Sequence, residues 1–206
     1  MDNIKWIFFD IGSTLVDETE CYKKRFEEAV KNTDIPYEEF ENKVIEFSKR
    51  NLKGDHEAVK YYNLSLPKWH NELEILYPEA KSVLKKLKEK GFKLGIIANQ
   101  SLGTKERLRS RGILKYFDVV AASAEEGVAK PDLKLFETAL KRAECKPQNT
   151  AMVGDRLDND IVPAHKIGMK TIWIKQGFSK YSTPKNESEK ADFVVDNLNK
   201  ILDIFI

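Results

Sequence analysis

Apolar residues in this chain gather into two kinds of run. Short stretches dense in β-branched and aromatic side chains, at residues 4–10, 93–99, 117–123, 150–155, 171–175 and 193–195, predict six strands. Between the second and the fifth of these, apolar positions recur at helical spacing. Ala80, Val83, Leu84 and Leu87 fall on one face of 79–90, with Gly91 as a stop, and 104–111 runs into Gly112. Leu133, Phe136, Ala139 and Leu140 share a face of 132–142, just after Pro131, and 161–167 ends at Gly168. Strands apolar along nearly their whole length, alternating with amphipathic helices, predict an α/β fold with a parallel sheet covered on both faces.

Residues 15–77 break that rhythm. They are rich in Glu, Lys, Phe and Tyr, poor in glycine, and show no period-two alternation. Phe26, Ala29 and Val30, then Phe40, Val44, Ile45 and Phe47, fit two amphipathic helices separated at Asp34, Ile35 and Pro36. Residues 58–64 suggest the start of a third. The expected organisation is a core of 1–14 and 78–206 with a helical insertion at 15–77, above the carboxyl edge of the sheet.

Composition narrows the class of partner. A length of 206 residues suits one α/β domain plus an insertion, and 41% hydrophobic with 33% charged residues fits a folded globular chain. A net charge of +2 gives no strong pull toward nucleic acid or a membrane surface, so neither is expected as a partner. No run approaches the roughly 20 apolar residues that span a bilayer. Cys21 and Cys145 stand far apart with no leader ahead of them, so two reduced thiols in the cytoplasm are expected.

The candidate chemistry sits where strands end. The first apolar run delivers Asp10 to a turn containing Gly12, Ser13 and Thr14. The fourth delivers Gly154 and Asp155, with Asp160 five residues on. Ligands of open α/β sheets bind at the carboxyl ends of strands, so two acidic strand ends side by side would make a pocket for a divalent cation. Ala98, Asn99 and Gln100 end the second run, and Lys130 precedes Pro131 and Asp132 at a helix start. Each segment alone is a common turn or cap. Four in this order are hard to assign to chance.

With these segments the chain resembles the haloacid dehalogenase-like (HAD) superfamily over essentially its whole length. Asp10 matches the first-motif nucleophile, Asn99 and its neighbours the second-motif strand end, and Lys130 the third-motif lysine. Asp155 and Asp160 match the fourth-motif pair. The resemblance implies a Rossmann-like core with a helical cap inserted after motif one. It also implies Mg²⁺ held by Asp10, Asp155 and the Gly12 carbonyl, and phosphoryl transfer through an aspartyl-phosphate on Asp10 with Lys130 neutralising charge. Asp160 would orient the neighbouring groups. Ser13, Asn99, Gln100 and Lys130 would contact the phosphate, and a small phosphorylated metabolite would be the substrate.

Two positions depart from that pattern. Phosphatases of the family carry a second Asp two residues after the nucleophile, which protonates the leaving alcohol and then activates water. Here Gly12 stands in its place. Ala98 stands where a Ser or Thr hydroxyl is usual. Three functions therefore stay open: a Mg²⁺-dependent phosphohydrolase with rerouted acid–base chemistry, a weak or inactive protein that binds a phosphorylated ligand or partner, and a dehalogenase. Retention of Asp155 and Asp160 argues against the last. A receiver-like signalling domain fits poorly, since Asp2 is too far from Asp10 to supply its extra acid. Trp69 is expected in the core, His70 as a surface or packed residue, Asp158 as a surface acid, and Lys23, Lys24 and Arg25 as a solvated helix face.

Overall fold

The computed structural model describes residues 3–206, so Asp2 lies outside the described residues. In chain order its main elements begin with β1 (Trp6–Phe9), β2 (Val16–Asp17), α1 (Thr19–Val30), α2 (Tyr37–Lys49), α3 (Gly54–Tyr61) and β3 (Ile75–Leu76). They continue with α4 (Ala80–Glu89), β4 (Lys93–Ala98), α5 (Thr104–Ser110), β5 (Val119–Ala122), α6 (Ser123–Glu126), α7 (Leu133–Arg142) and β6 (Thr150–Gly154). The last are α8 (Val162–Lys166), β7 (Lys170–Ile174), β8 (Phe193–Val195) and α9 (Asn199–Phe205). All six expected strands form one sheet, in the order β5-β4-β1-β6-β7-β8, and every pairing in it is parallel.

Strand β1 shows why the sheet is two-sided. Ile7 and Phe9 enter one buried cluster with Val83, Leu84 and Leu87 of α4, while Phe8 enters the opposite cluster with Phe136 and Ala139 of α7. Burying a side chain of this size is worth roughly 1.5–3 kcal/mol, so three consecutive buried residues fix β1 in the centre of the sheet. The chain leaves β1 for β4 on one side and returns to β6 on the other, which creates a switch point at the carboxyl ends of β1 and β6. Phe9 is in register with Val153, so Asp10 emerges beside Gly154 and Asp155.

The inserted helices build a cluster of their own around Phe26, Phe40, Val44, Ala58 and Val59. Helix α3 starts at Gly54, four residues ahead of the expected start at 58. Its first turn is polar, and Gly54 is there because a Cβ would lie 2.5 Å from the Val44 carbonyl of α2. The antiparallel pair β2–β3 ties the two ends of the insertion together, with Val16 opposite Leu76. The segment expected as a helix over 161–167 is α8 preceded by a wider, π-helical turn at Leu157–Ile161. No helix among the described residues is long and apolar enough to cross a membrane.

Candidate active site

Four loops at the carboxyl edge of the sheet meet around Lys130. Its ammonium lies 2.6 Å from Asp10 Oδ1 and 2.5 Å from Asp160 Oδ1. Lys130 is 5% exposed and Asp160 1%, so this is a buried charge cluster, which is favourable only when every charge is partnered. Burial alone would lower the Lys130 ammonium, but the two carboxylates outweigh it and hold it above its ordinary range. Asn99 fixes the lysine backbone. Its amide oxygen accepts from the Lys130 N–H at 2.7 Å and its amide nitrogen donates to the Lys130 carbonyl at 2.9 Å. The peptide bond between Lys130 and Pro131 is cis.

Asp155 closes the other side. Ser179 Oγ donates to its Oδ2 at 2.6 Å, and the Trp173 indole N–H donates to its backbone carbonyl at 2.6 Å. Burial, then the facing Asp160 and Asp10 carboxylates, raise the Asp155 carboxyl well above the ordinary range. Burial also raises Asp160, against the pull of Lys130. Asp10, Asp155 and Asp160 each offer an oxygen, and these atoms lie within 4.8 Å of one another. Three carboxylates with one ammonium among them, paired to Asp10 and Asp160, leave excess negative charge, and their oxygen-only donor set suits a hard divalent cation. Asp160 reaches this position by bending over Gly154: a Cβ on residue 154 would overlap the Asp160 carboxyl. Its second oxygen accepts the Arg156 N–H at 3.0 Å.

The other expected phosphate contacts line the same cavity, but their side chains are engaged. Ser13 has φ +50° and donates its hydroxyl to Glu18 Oε2 at 2.8 Å. Gln100 accepts from Arg107 at 3.3 Å, and its N–H donates to Ser123 Oγ at 3.0 Å. Asn99 is committed to Lys130 as described. The cavity measures about 230 Å³ and is open to solvent. The insertion contributes Tyr22, Ser48, Asn51, Lys53 and Asp55 to its wall.

Among residues left as packing or surface groups, Trp69 packs edge-on to Tyr22 and beneath Arg25, whose guanidinium is 4.5 Å from the indole centre. Arg25 is not solvated: it is buried on Asp55 at 2.7 Å. His70 bridges Glu28 and Glu72. Asp158 pairs with Arg156 at the surface.

The model of the haloacid dehalogenase-like hydrolases matches residues 7–174, a span that carries every site residue named above except Ser179. The chain belongs to that family. Within it, the chain is 34% identical to a glyceraldehyde 3-phosphate phosphatase of Methanocaldococcus jannaschii, over 98% of this chain and 96% of the relative. It is 32% identical to the enzyme of the same name from Pyrococcus furiosus, over 99% and 94%. The crystal structure of a predicted phosphoglycolate phosphatase from Haemophilus somnus superposes with a TM-score of 0.75 at 22% identity, covering 100% of both chains. That likeness establishes the fold: a HAD-type parallel sheet with helices on both faces.

One further residue lines the same cavity. Glu18, just before α1, was not singled out in the sequence, because it looks like any acid at a helix start. Its carboxyl lies inside the HAD cavity, next to Gly12. Burial pushes it up to about 8 despite the Ser13 hydrogen bond, with Glu74, Asp10 and Asp55 adding to the rise.

Proposed function

We propose that this HAD hydrolase is a Mg²⁺-dependent phosphohydrolase of small phosphorylated metabolites, with Asp10 as nucleophile. The observation that carries the reading is the trio of carboxylates whose oxygens lie within 4.8 Å of one another, two of them held by the Lys130 ammonium. Asp10, Asp155 and the Gly12 carbonyl would hold Mg²⁺, which when bound supplies the positive charge that lets an anionic nucleophile approach an anionic phosphate. Lys130 fixes Asp10 and neutralises charge on the transferring group. Asp160, whose two oxygens accept from the Lys130 ammonium and the Arg156 N–H, orients the lysine. Asp10 attacks phosphorus to give an aspartyl-phosphate, which water then hydrolyses.

The cavity size and its polar wall of Ser48, Asn51, Lys53 and Asp55 support a small polar substrate, in keeping with the three-carbon phosphate in the names of the Methanocaldococcus and Pyrococcus relatives. The test is hydrolysis of p-nitrophenyl phosphate by wild type and Asp10→Asn, with Mg²⁺ and with EDTA. Turnover that needs the metal and is lost in the variant is expected. Mg²⁺-dependent binding of beryllofluoride without turnover would move the assignment to a non-hydrolytic phosphate-binding protein. Halide release from a haloacid without metal would move it to a dehalogenase.

A further inference from the structure

Gly12 leaves a side-chain-sized space beside the nucleophile, and Glu18 fills it. A Cβ built on Gly12 would lie 2.5 Å from Glu18 Oε1 and 2.9 Å from both its Cδ and Oε2. The Glu18 carboxyl therefore stands along the direction in which any side chain at position 12 would extend. It is anchored there: Ser13 Oγ donates to Oε2 at 2.8 Å, while no hydrogen bond from the described residues reaches Oε1, the oxygen nearer Gly12. Asp10, Gly12, Glu18, Lys130 and Asp155 all line the one cavity. The local fold explains the reach. The turn after β1 folds back on itself, with Thr14, Leu15 and Val16 N–H groups all directed at the Ile11 carbonyl, and Glu18 then precedes α1. A six-residue excursion thus returns a carboxyl to the place that residue 12 vacates.

We propose that Glu18 is the proton-carrying carboxyl of this active site, delivered from the start of α1 into the space that Gly12 leaves open. The inference rests on the phosphohydrolase reading above. In the first half-reaction Asp10 forms a bond to phosphorus, the bond from phosphorus to the leaving oxygen breaks with its electron pair on that oxygen, and the Glu18 proton passes to it. The products are a free alcohol, an aspartyl-phosphate and a Glu18 carboxylate. In the second, water attacks phosphorus and gives its proton to Glu18. The bond from phosphorus to Asp10 breaks with its electrons on Asp10, and phosphate leaves. Glu18 is protonated again and the cycle closes.

The test compares leaving groups in Glu18→Gln, whose amide oxygen can still accept from Ser13. With Mg²⁺ present, kcat/KM for glycerol 2-phosphate, whose alkoxide needs a proton, should fall at least about a hundredfold. For p-nitrophenyl phosphate, whose phenolate leaves unaided, kcat/KM should change less than about tenfold. Because the water step also loses its base, a burst of one p-nitrophenolate per site should appear. Gly12→Asp alone should gain nothing, since its side chain would collide with Glu18. Gly12→Asp combined with Glu18→Ala, which moves the acid to position 12, should recover glycerol 2-phosphate hydrolysis. Equal losses on both substrates, or no loss on either, would overturn the Glu18 assignment and leave the phosphohydrolase reading intact. Absence of Mg²⁺-dependent turnover by wild type on both substrates would overturn the reading, and the assignment with it.

Discussion

Asn99 holds Lys130 by both ends of its peptide framework, accepting from its N–H at 2.7 Å and donating to its carbonyl at 2.9 Å. The side chain at the end of β4 therefore acts through the lysine, whose ammonium must sit between Asp10 and Asp160. Asn99→Ala should lose about 1–2 kcal/mol of stability, the net worth of two such bonds, and slow turnover about tenfold by loosening the ammonium. Asn99→Asp keeps the acceptor but sets a carboxylate oxygen against the Lys130 carbonyl, so it should do no better than the alanine variant. Urea unfolding alongside p-nitrophenyl phosphate kinetics checks both effects, and a fully active alanine variant would remove Asn99 from the machinery.

The carboxylate trio predicts effects of opposite sign at Asp155. Without metal, Asp155 faces Asp160 and Asp10 in a buried setting, so Asp155→Asn should raise the melting temperature measured in EDTA. With metal the order should reverse. Mg²⁺ at a hundred times its Kd should stabilise wild type by about 2.7 kcal/mol and leave the variant unchanged. Thermal unfolding in EDTA and in Mg²⁺ decides the matter. A variant that still responds to Mg²⁺ would show that the ion binds elsewhere.

How much could be read from the amino acids depended on whether a feature was local. The six strands were readable because β1, β4, β6 and β7 are apolar on both faces, a pattern set by burial under two layers of helix. Asp10, Lys130, Asp155 and Asp160 were readable because strand ends and helix starts announce themselves through Gly and Pro. The β2–β3 ribbon was not, since two-residue strands carry no period. The first turn of helix α3 carries no helical stripe, because Gly54 and Asp55 serve contacts to Val44 and Arg25. Glu18 was invisible for a stronger reason: its role exists only once the turn after β1 brings it against a glycine six residues earlier.

Asp192 predicts where the fold meets acid. Partial burial works to raise its carboxyl, but the Lys170 ammonium at 2.6 Å, the Thr171 N–H and hydroxyl, and His165 outweigh it and lower it to about 2. A carboxyl lowered in the folded state contributes stability that is fully present above its unfolded value of 3.8 and is lost as pH falls through 2. Water screens this largely exposed pair, so the shift is worth no more than about 1 kcal/mol at neutral pH, with about half of that remaining at pH 3. Asp192→Asn should therefore be destabilised by about this amount at pH 6, and the gap to wild type should halve at pH 3. Urea midpoints at the two values test it, and a gap that stays constant between them would contradict the assignment.

Gly154 makes the sharpest structural prediction, because the site depends on an atom that is absent. Asp160 folds back over residue 154 so closely that a Cβ there would overlap its carboxyl. Asp160 is held between the Lys130 ammonium and the Arg156 N–H, so any retreat breaks one or both of those bonds. Gly154→Ala should therefore push Asp160 off both partners and leave Lys130 with Asp10 alone, at a cost of about 2–4 kcal/mol. Turnover should fall more than tenfold as the ammonium shifts. Asp160→Asn keeps the volume and the Arg156 contact, so its turnover should fall as far while its stability falls less. That separation distinguishes crowding at position 154 from loss of charge at position 160. A Gly154→Ala protein with wild-type stability and rate would show that the loop carrying Asp160 relaxes freely, and the rigid ordering of Lys130 by Asp160 would be untenable.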